Sequence, residues 1–170
     1  MSRSGLAETQ SILDVLQTWN WDLVIPKIPG VGDTRPLTYK CISTTIPGSQ
    51  VEQVPLEIHG VKLNYAGRRV WSGTWDATFI ESRDSNTRQQ FITWMELIRS
   101  WTLNTGMYKS VYAVPIELSL YDDLPQIVRS IKLVNAFPTQ LGDVTLDQSA
   151  GIVQYQVTFS FDMTEEGTGQ

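Results

Sequence analysis

The stretch GIVQYQVTFSFDM, residues 151–163, alternates almost without fault. Val153, Tyr155, Val157, Phe159, Phe161 and Met163 fall on one face of an extended chain. Gln154, Gln156, Thr158, Ser160 and Asp162 fall on the other. A period of two predicts a strand with one buried and one wet face. The same pattern recurs in SGTWDATFIE, residues 72–81, where Trp75, Ala77 and Phe79 share a parity opposite to Thr74, Asp76 and Thr78. Two such strands point to an antiparallel sheet whose outer face is built of amides, hydroxyls and a few carboxylates.

The rest of the chain fits a β-rich domain. WNWDLVIPKI (19–28), LTYKCIS (37–43), VPIELSLYD (114–122), IVRSIKLVNA (127–136) and a short DVTLD (143–147) are predicted as strands, with PGVGDTRP (29–36) and TTIPGSQ (44–50) as turns. In VEQVPLEIHGVKLNYAG (51–67), Val54, Leu56 and Ile58 alternate up to His59-Gly60, and Val61, Leu63 and Tyr65 alternate beyond it. This predicts a hairpin, and Pro55, which lacks an N–H, places its first arm at an edge or on a projection. One helix interrupts the pattern. Phe91, Trp94, Met95, Ile98 and Trp101 form a single stripe at three- and four-residue steps, with Asp84 or Ser85 as the cap and Gly106 as the stop. A weaker helix is expected from about Glu8 to Gln17, and TEEGTGQ (164–170) is expected to be a mobile tail. The fold expected is mainly β, an antiparallel sandwich or barrel with a flanking α-helix and an extended hairpin arm. It forms one domain over 1–170, of which 1–18 is an N-terminal segment.

Composition excludes several functions. A net charge of −5 argues against a general nucleic-acid binder, which needs a basic surface to neutralise phosphates. Cys41 is the only cysteine, which rules out an intrachain disulfide and a thiolate metal cluster. His59 is the only histidine and sits at the hairpin tip, which suits a turn or interface role better than catalysis. Tyr121-Asp122-Asp123 reads as a turn, and Gly30 to Gly32 lacks the lysine and the strand-to-helix setting of a phosphate loop. No catalytic residue, metal site or cofactor is expected. No apolar run suggests a signal peptide or membrane insertion, so the expectation is a soluble chain made in a cytoplasm. Trp19, Trp21, Trp75, Trp94 and Trp101 are all expected in the core, with Trp71 beside Arg68 and Arg69 left open. A sugar-binding sandwich would instead place several tryptophans exposed on one face.

Taken in order, these segments resemble a known family. The KC strand, the IPG…VEQVP connection, the KLNYAG arm, the WDATF strand, the helix with R-x-x-F-x-x-W and the closing LVNAFPTQLGDVTLD…YQVTFSFD are similar to tail tube proteins of contractile-tailed bacteriophages. The likeness runs from about residue 20 to 163. It implies a structural protein of the virion tail, assembled in the host cytoplasm. Its hexameric rings stack into an inner tube that conducts DNA when the sheath contracts. The partners implied are further copies of itself, the tail sheath protein, baseplate and tail-terminator proteins, and a tape-measure protein and DNA in the lumen. The same fold serves baseplate and terminator rings and the tubes of secretion and bacteriocin particles, which stay open as alternatives.

On this reading Thr74, Asp76, Thr78, Gln154, Gln156, Thr158, Ser160 and Asp162 face the lumen. Val54, Leu56, Ile58, His59, Val61 and Leu63 belong to an arm that touches neighbouring subunits. A wall of amides and hydroxyls would let DNA slide, since basic side chains would bind phosphate. Arg129 and Lys132, on opposite parities of one strand, fit such a wall poorly.

Overall fold

The computed structural model describes residues 16–168 apart from residues 29, 85 and 123–125. The two alternating stretches form β5 (Thr74–Ile80) and β8 (Gln154–Ser160). They pair antiparallel, with Trp75 opposite Phe159, Ala77 opposite Val157 and Phe79 opposite Tyr155, and all six of these side chains are buried. The Trp75 and Phe159 rings lie 5.0 Å apart, a tilted contact that adds specificity to the burial. Around this pair the chain adds β1 (Trp21–Val24), β2 (Cys41–Thr44), β6 (Val114–Tyr121), β7 (Ile127–Leu141) and β9 (Met163–Thr168). The strand order is β1-β6-β7-β8-β5-β2, with β9 also on β7. At 15 residues β7 is long enough to serve two layers. It pairs with β6 and β9 along 127–136, then with β8 from Phe137.

The layers close over a core capped by α2 (Asn86–Ile98). Phe91 and Trp94 of that helix are fully buried, with Phe91 4.9 Å from Phe79 and Trp94 6.0 Å from Phe159 between ring centres. Buried indole N–H groups need acceptors. Trp94 Nε1 donates to the Tyr112 carbonyl at 2.9 Å, and Trp75 Nε1 to the Thr45 carbonyl at 2.7 Å. Outside this body, β3 (Ser49–Ile58) and β4 (Val61–Trp71) form a separate two-stranded hairpin.

Several expectations are corrected. LTYKCIS is not one strand: α1 (Arg35–Lys40) precedes β2, because Pro36 suits a first helical turn and Leu37 is drawn into the core. DVTLD is not a strand, and the Asp147 carboxylate accepts the Ser149 N–H at 2.9 Å in a local turn. The segment from residue 164, expected to be a mobile tail, is β9 up to Thr168 and pairs with Arg129 to Val134. Two ion pairs accompany this ladder, Arg129–Glu166 at 3.0 Å and Lys132–Glu165 at 3.9 Å.

The helix stripe ends at Ile98, so Trp101 is 92% exposed rather than in the core, and Trp19 is 68% exposed before β1 begins. Trp21 and Trp71 are half-buried against the core. The N-terminal helix expected from Glu8 lies, up to residue 15, outside the described residues, as do Ser85 and much of the Tyr121 turn.

Candidate functional site: a polar sheet face and an apolar arm

The outward residues of β5 and β8 stand opposite one another in rows: Thr74 with Ser160, Asp76 with Thr158, Thr78 with Gln156, and Ile80 with Gln154. The Thr158 hydroxyl donates to the Asp76 carboxylate at 2.5 Å, so the one charged group of these two strands is tied into the surface. The face continues onto both neighbours. Ser43 of β2 pairs with Thr78, and the Thr44 hydroxyl donates to the Asp76 carbonyl at 3.1 Å. On the other side Gln140 of β7 pairs with Thr158, and the Thr139 hydroxyl donates to the Thr158 carbonyl at 3.1 Å. Strands β2, β5 and β8 and residues 137–141 of β7 contain no lysine or arginine, and Asp76 is their only ionisable carboxylate.

Seven of the residues proposed for this face thus lie in β5 and β8 on one surface. Asp162 does not. β8 ends at Ser160; Phe161 keeps the expected inward parity and is buried, but the alternation breaks after it, and Met163, expected on the core face, is exposed. Asp162 instead takes Lys109 Nζ at 2.6 Å and Asn135 Nδ2 at 2.8 Å. These bonds, from Lys109 first and Asn135 second, hold its carboxyl below the ordinary 3.8. Asp162 therefore buckles α3 (Lys109–Tyr112) and β7 to the β8–β9 turn. Arg129 and Lys132 are likewise removed from the polar face, since both pair with acids of β9.

The arm is a register-perfect hairpin at its tip. Ile58 faces Val61, Leu56 faces Leu63 and Val54 faces Tyr65, which puts every one of these apolar side chains on the same side. Glu57 faces Lys62 and Pro55 faces Asn64 on the reverse side. His59 and Gly60 both have positive φ, 51° and 77°, the conformation a two-residue primed turn requires. All ten residues of β3 are exposed, and the apolar face of the arm with them. Tyr65 belongs to this face and extends the set expected from sequence. At the root, Arg69 lies 4.6 Å over the Trp71 ring and donates to Ser49.

Burial pushes the Cys41 thiol up to about 12, which keeps it protonated and unreactive. Among the described residues no three of His, Cys, Asp and Glu converge on a metal-sized site. The chemistry on offer is adhesive: an uncovered apolar arm and a smooth polar face.

The family model described as phage tail tube protein matches residues 17–164. The tail tube protein gp19 of Enterobacteria phage T4 is 26% identical over 132 residues, which span 75% of this chain and 80% of that protein. Among solved structures, the sheath/tube terminator of the PVC extracellular contractile injection system in its extended state superposes with a TM-score of 0.67. It is 17% identical and covers 91% of this chain and 97% of that one. A chain of the sheath-tube complex of the same system gives a TM-score of 0.59 at 14% identity over 99% of both chains. These structural likenesses establish the shared fold.

Proposed function

The chain belongs to the phage tail tube protein family, and from that premise we propose that it is the repeating subunit of a tail inner tube whose channel is walled by the polar face of β5 and β8. The observation that carries the reading is the composition of that face. It is continuous over β2, β5, β8 and the end of β7, built mainly of hydroxyls and amides with Ile80 and Phe137 among them, and without a basic side chain. A passing polyanion would find no ammonium or guanidinium to hold it there.

The sheet edges support closure into a ring. β2 ends the strand order on one side, and β6 pairs with β7 only as far as Ala136. Each subunit thus brings a four-strand panel with two edges, and joining panels edge to edge into a hexameric ring removes both. The arm then covers apolar surface on a neighbour. The sheath-tube, tube-terminator and baseplate particles that share the fold support sheath, terminator and baseplate proteins as partners. DNA and a tape-measure protein are the proposed channel contents, the virion tail the proposed location and the host cytoplasm the site of assembly. The family's role is structural, and no reaction is assigned to the chain.

Substituting Thr74→Lys and Gln156→Lys, which lie apart on the exposed face, tests the wall. Folding and tube formation should persist while DNA delivery by reconstituted particles falls. Normal delivery through tubes that carry both lysines would contradict it.

A further inference from the structure

The ladder of the arm is broken at one place. Val51 faces Arg69 and Gln53 faces Ala66, so Glu52 of β3 stands opposite two residues of β4, Gly67 and Arg68. This is a β-bulge, an extra residue that bends its strand and sharpens the local twist. Side-chain space agrees with the register. A Cβ at Gly67 would lie 3.1 Å from the Glu52 Cβ, the Glu52 carbonyl oxygen and the Val54 Cγ2, so glycine lets the strands close up at the bulge. Arg68 reaches Glu52 at 3.7 Å, an ion pair between exposed side chains that adds little.

Below the bulge the arm is fixed to the body. Trp71 is half-buried against the core, and Arg69 stacks over its ring while donating to Ser49. Both connecting segments are tied down as well. The Thr45 carbonyl accepts the Trp75 indole N–H at 2.7 Å, and the Gly73 carbonyl accepts the Phe161 N–H at 3.2 Å. Above the bulge, β3 and β4 pair only with each other, and every residue from 53 to 66 is exposed. The direction of this free part is therefore set at Gly67 and Arg68. Six residues at about 3.3 Å each carry the tip about 20 Å past the bulge, so about 10° of bend moves it about 3 Å. A shift of that size is enough to lose packed contact.

Resting on the tube reading, we propose that the Gly67–Arg68 bulge is an aiming device: it fixes the direction in which the arm leaves the subunit, and assembly depends on that direction. The inserted backbone does this, and the Arg68 guanidinium is dispensable. Deleting Arg68 isolates the bend. Gly67 alone then faces Glu52, while Arg69 still faces Val51 and Ala66 still faces Gln53, so every other side chain keeps its side of the arm.

The deletion and Arg68→Ala are compared by double electron–electron resonance on the isolated subunit. In a Cys41→Ala background, spin labels sit on Lys62→Cys at the arm tip and Gln89→Cys on the exposed side of α2. The deletion should shift the mean distance by about 3 Å or more and leave the melting temperature unchanged. It should raise the concentration needed for tube assembly on the order of tenfold or more. Arg68→Ala should match the unsubstituted chain in distance and in assembly. An unchanged distance after deletion, or a lowered melting temperature, would overturn the aiming role. A shifted distance with an unchanged assembly threshold would overturn the dependence of assembly on direction. Assembly lost equally in Arg68→Ala would transfer the effect to the guanidinium and overturn the proposal. Failure of the unsubstituted chain to form tubes would overturn the tube reading and the assembly half with it, while the distances would still decide whether the bulge aims the arm.

Discussion

At Glu81 one carboxylate accepts the backbone N–H groups of Ser82, Thr87 and Arg88 at 2.9, 3.0 and 3.1 Å. It supplies acceptors to the first turn of α2 that sequence reading does not single out, because the end of β5 lies against that turn; of the candidates named from sequence, Asp84 takes the Ser82 hydroxyl and Ser85 lies outside the described residues. Glu81→Ala should therefore cost about 1–2 kcal/mol in urea unfolding, the range of a lost cap. A loss under about 0.3 kcal/mol would show that water replaces the bonds.

Trp101 and Asp162 teach the same lesson. Periodicity carries Trp101 into the helix stripe, yet Glu96 captures its N–H and the helix stops at Ile98. Alternation carries Asp162 onto the polar face, yet Lys109 and Asn135 hold it elsewhere. Because Lys109 and Asn135 depress the Asp162 pKa in the folded chain, the unfolded chain binds more protons in acid. This contribution is full above about 3.8 and is lost as pH falls through the folded value. Lowering pH from 5 to 3 should thus reduce the melting temperature of the native chain more than that of Asp162→Asn. An equal reduction would mean that the Lys109 pair is energetically neutral.

Among the elements, β5, β8 and the β3–β4 arm were legible because their alternation is long and their turns carry His59-Gly60 or Gly73. α1 was not, since six residues are too few for helical periodicity to stand out from a short strand. β9 was hidden by its composition. Met-Thr-Glu-Glu-Gly-Thr has little strand propensity, and only distant Arg129 and Lys132 make its acids useful. The arm depends on its own turn more than on the body of the protein. Gly60→Val, forced to φ near 77°, should loosen the tip: hydrogen exchange at 56–63 should quicken while β5 and β8 keep their protection. Unchanged exchange at the tip would show that strand pairing alone holds the arm.

For the whole molecule, the core face of the sheet was evident from pattern, whereas the view from its polar face was not. A polar strand face ordinarily looks onto bulk water, and alternation cannot distinguish that from a channel. The order of matching segments supplied the family, and the register of β5 against β8 then showed seven of the named residues sharing one surface with no cation on it. An apolar groove lined by Ile92, Met95, Trp101, Phe137 and Pro138 lay beyond sequence reading altogether, because it joins α2, a loop and β7 across the fold. The most direct test is a cryo-electron microscopy reconstruction of the assembly formed by the purified chain. It should show a hollow six-fold tube with Thr74, Asp76, Thr78 and Gln156 pointing into the channel and α2 on the outer side of the wall. A chain that stays monomeric at high concentration, or a tube whose channel is lined by α2, would contradict the account.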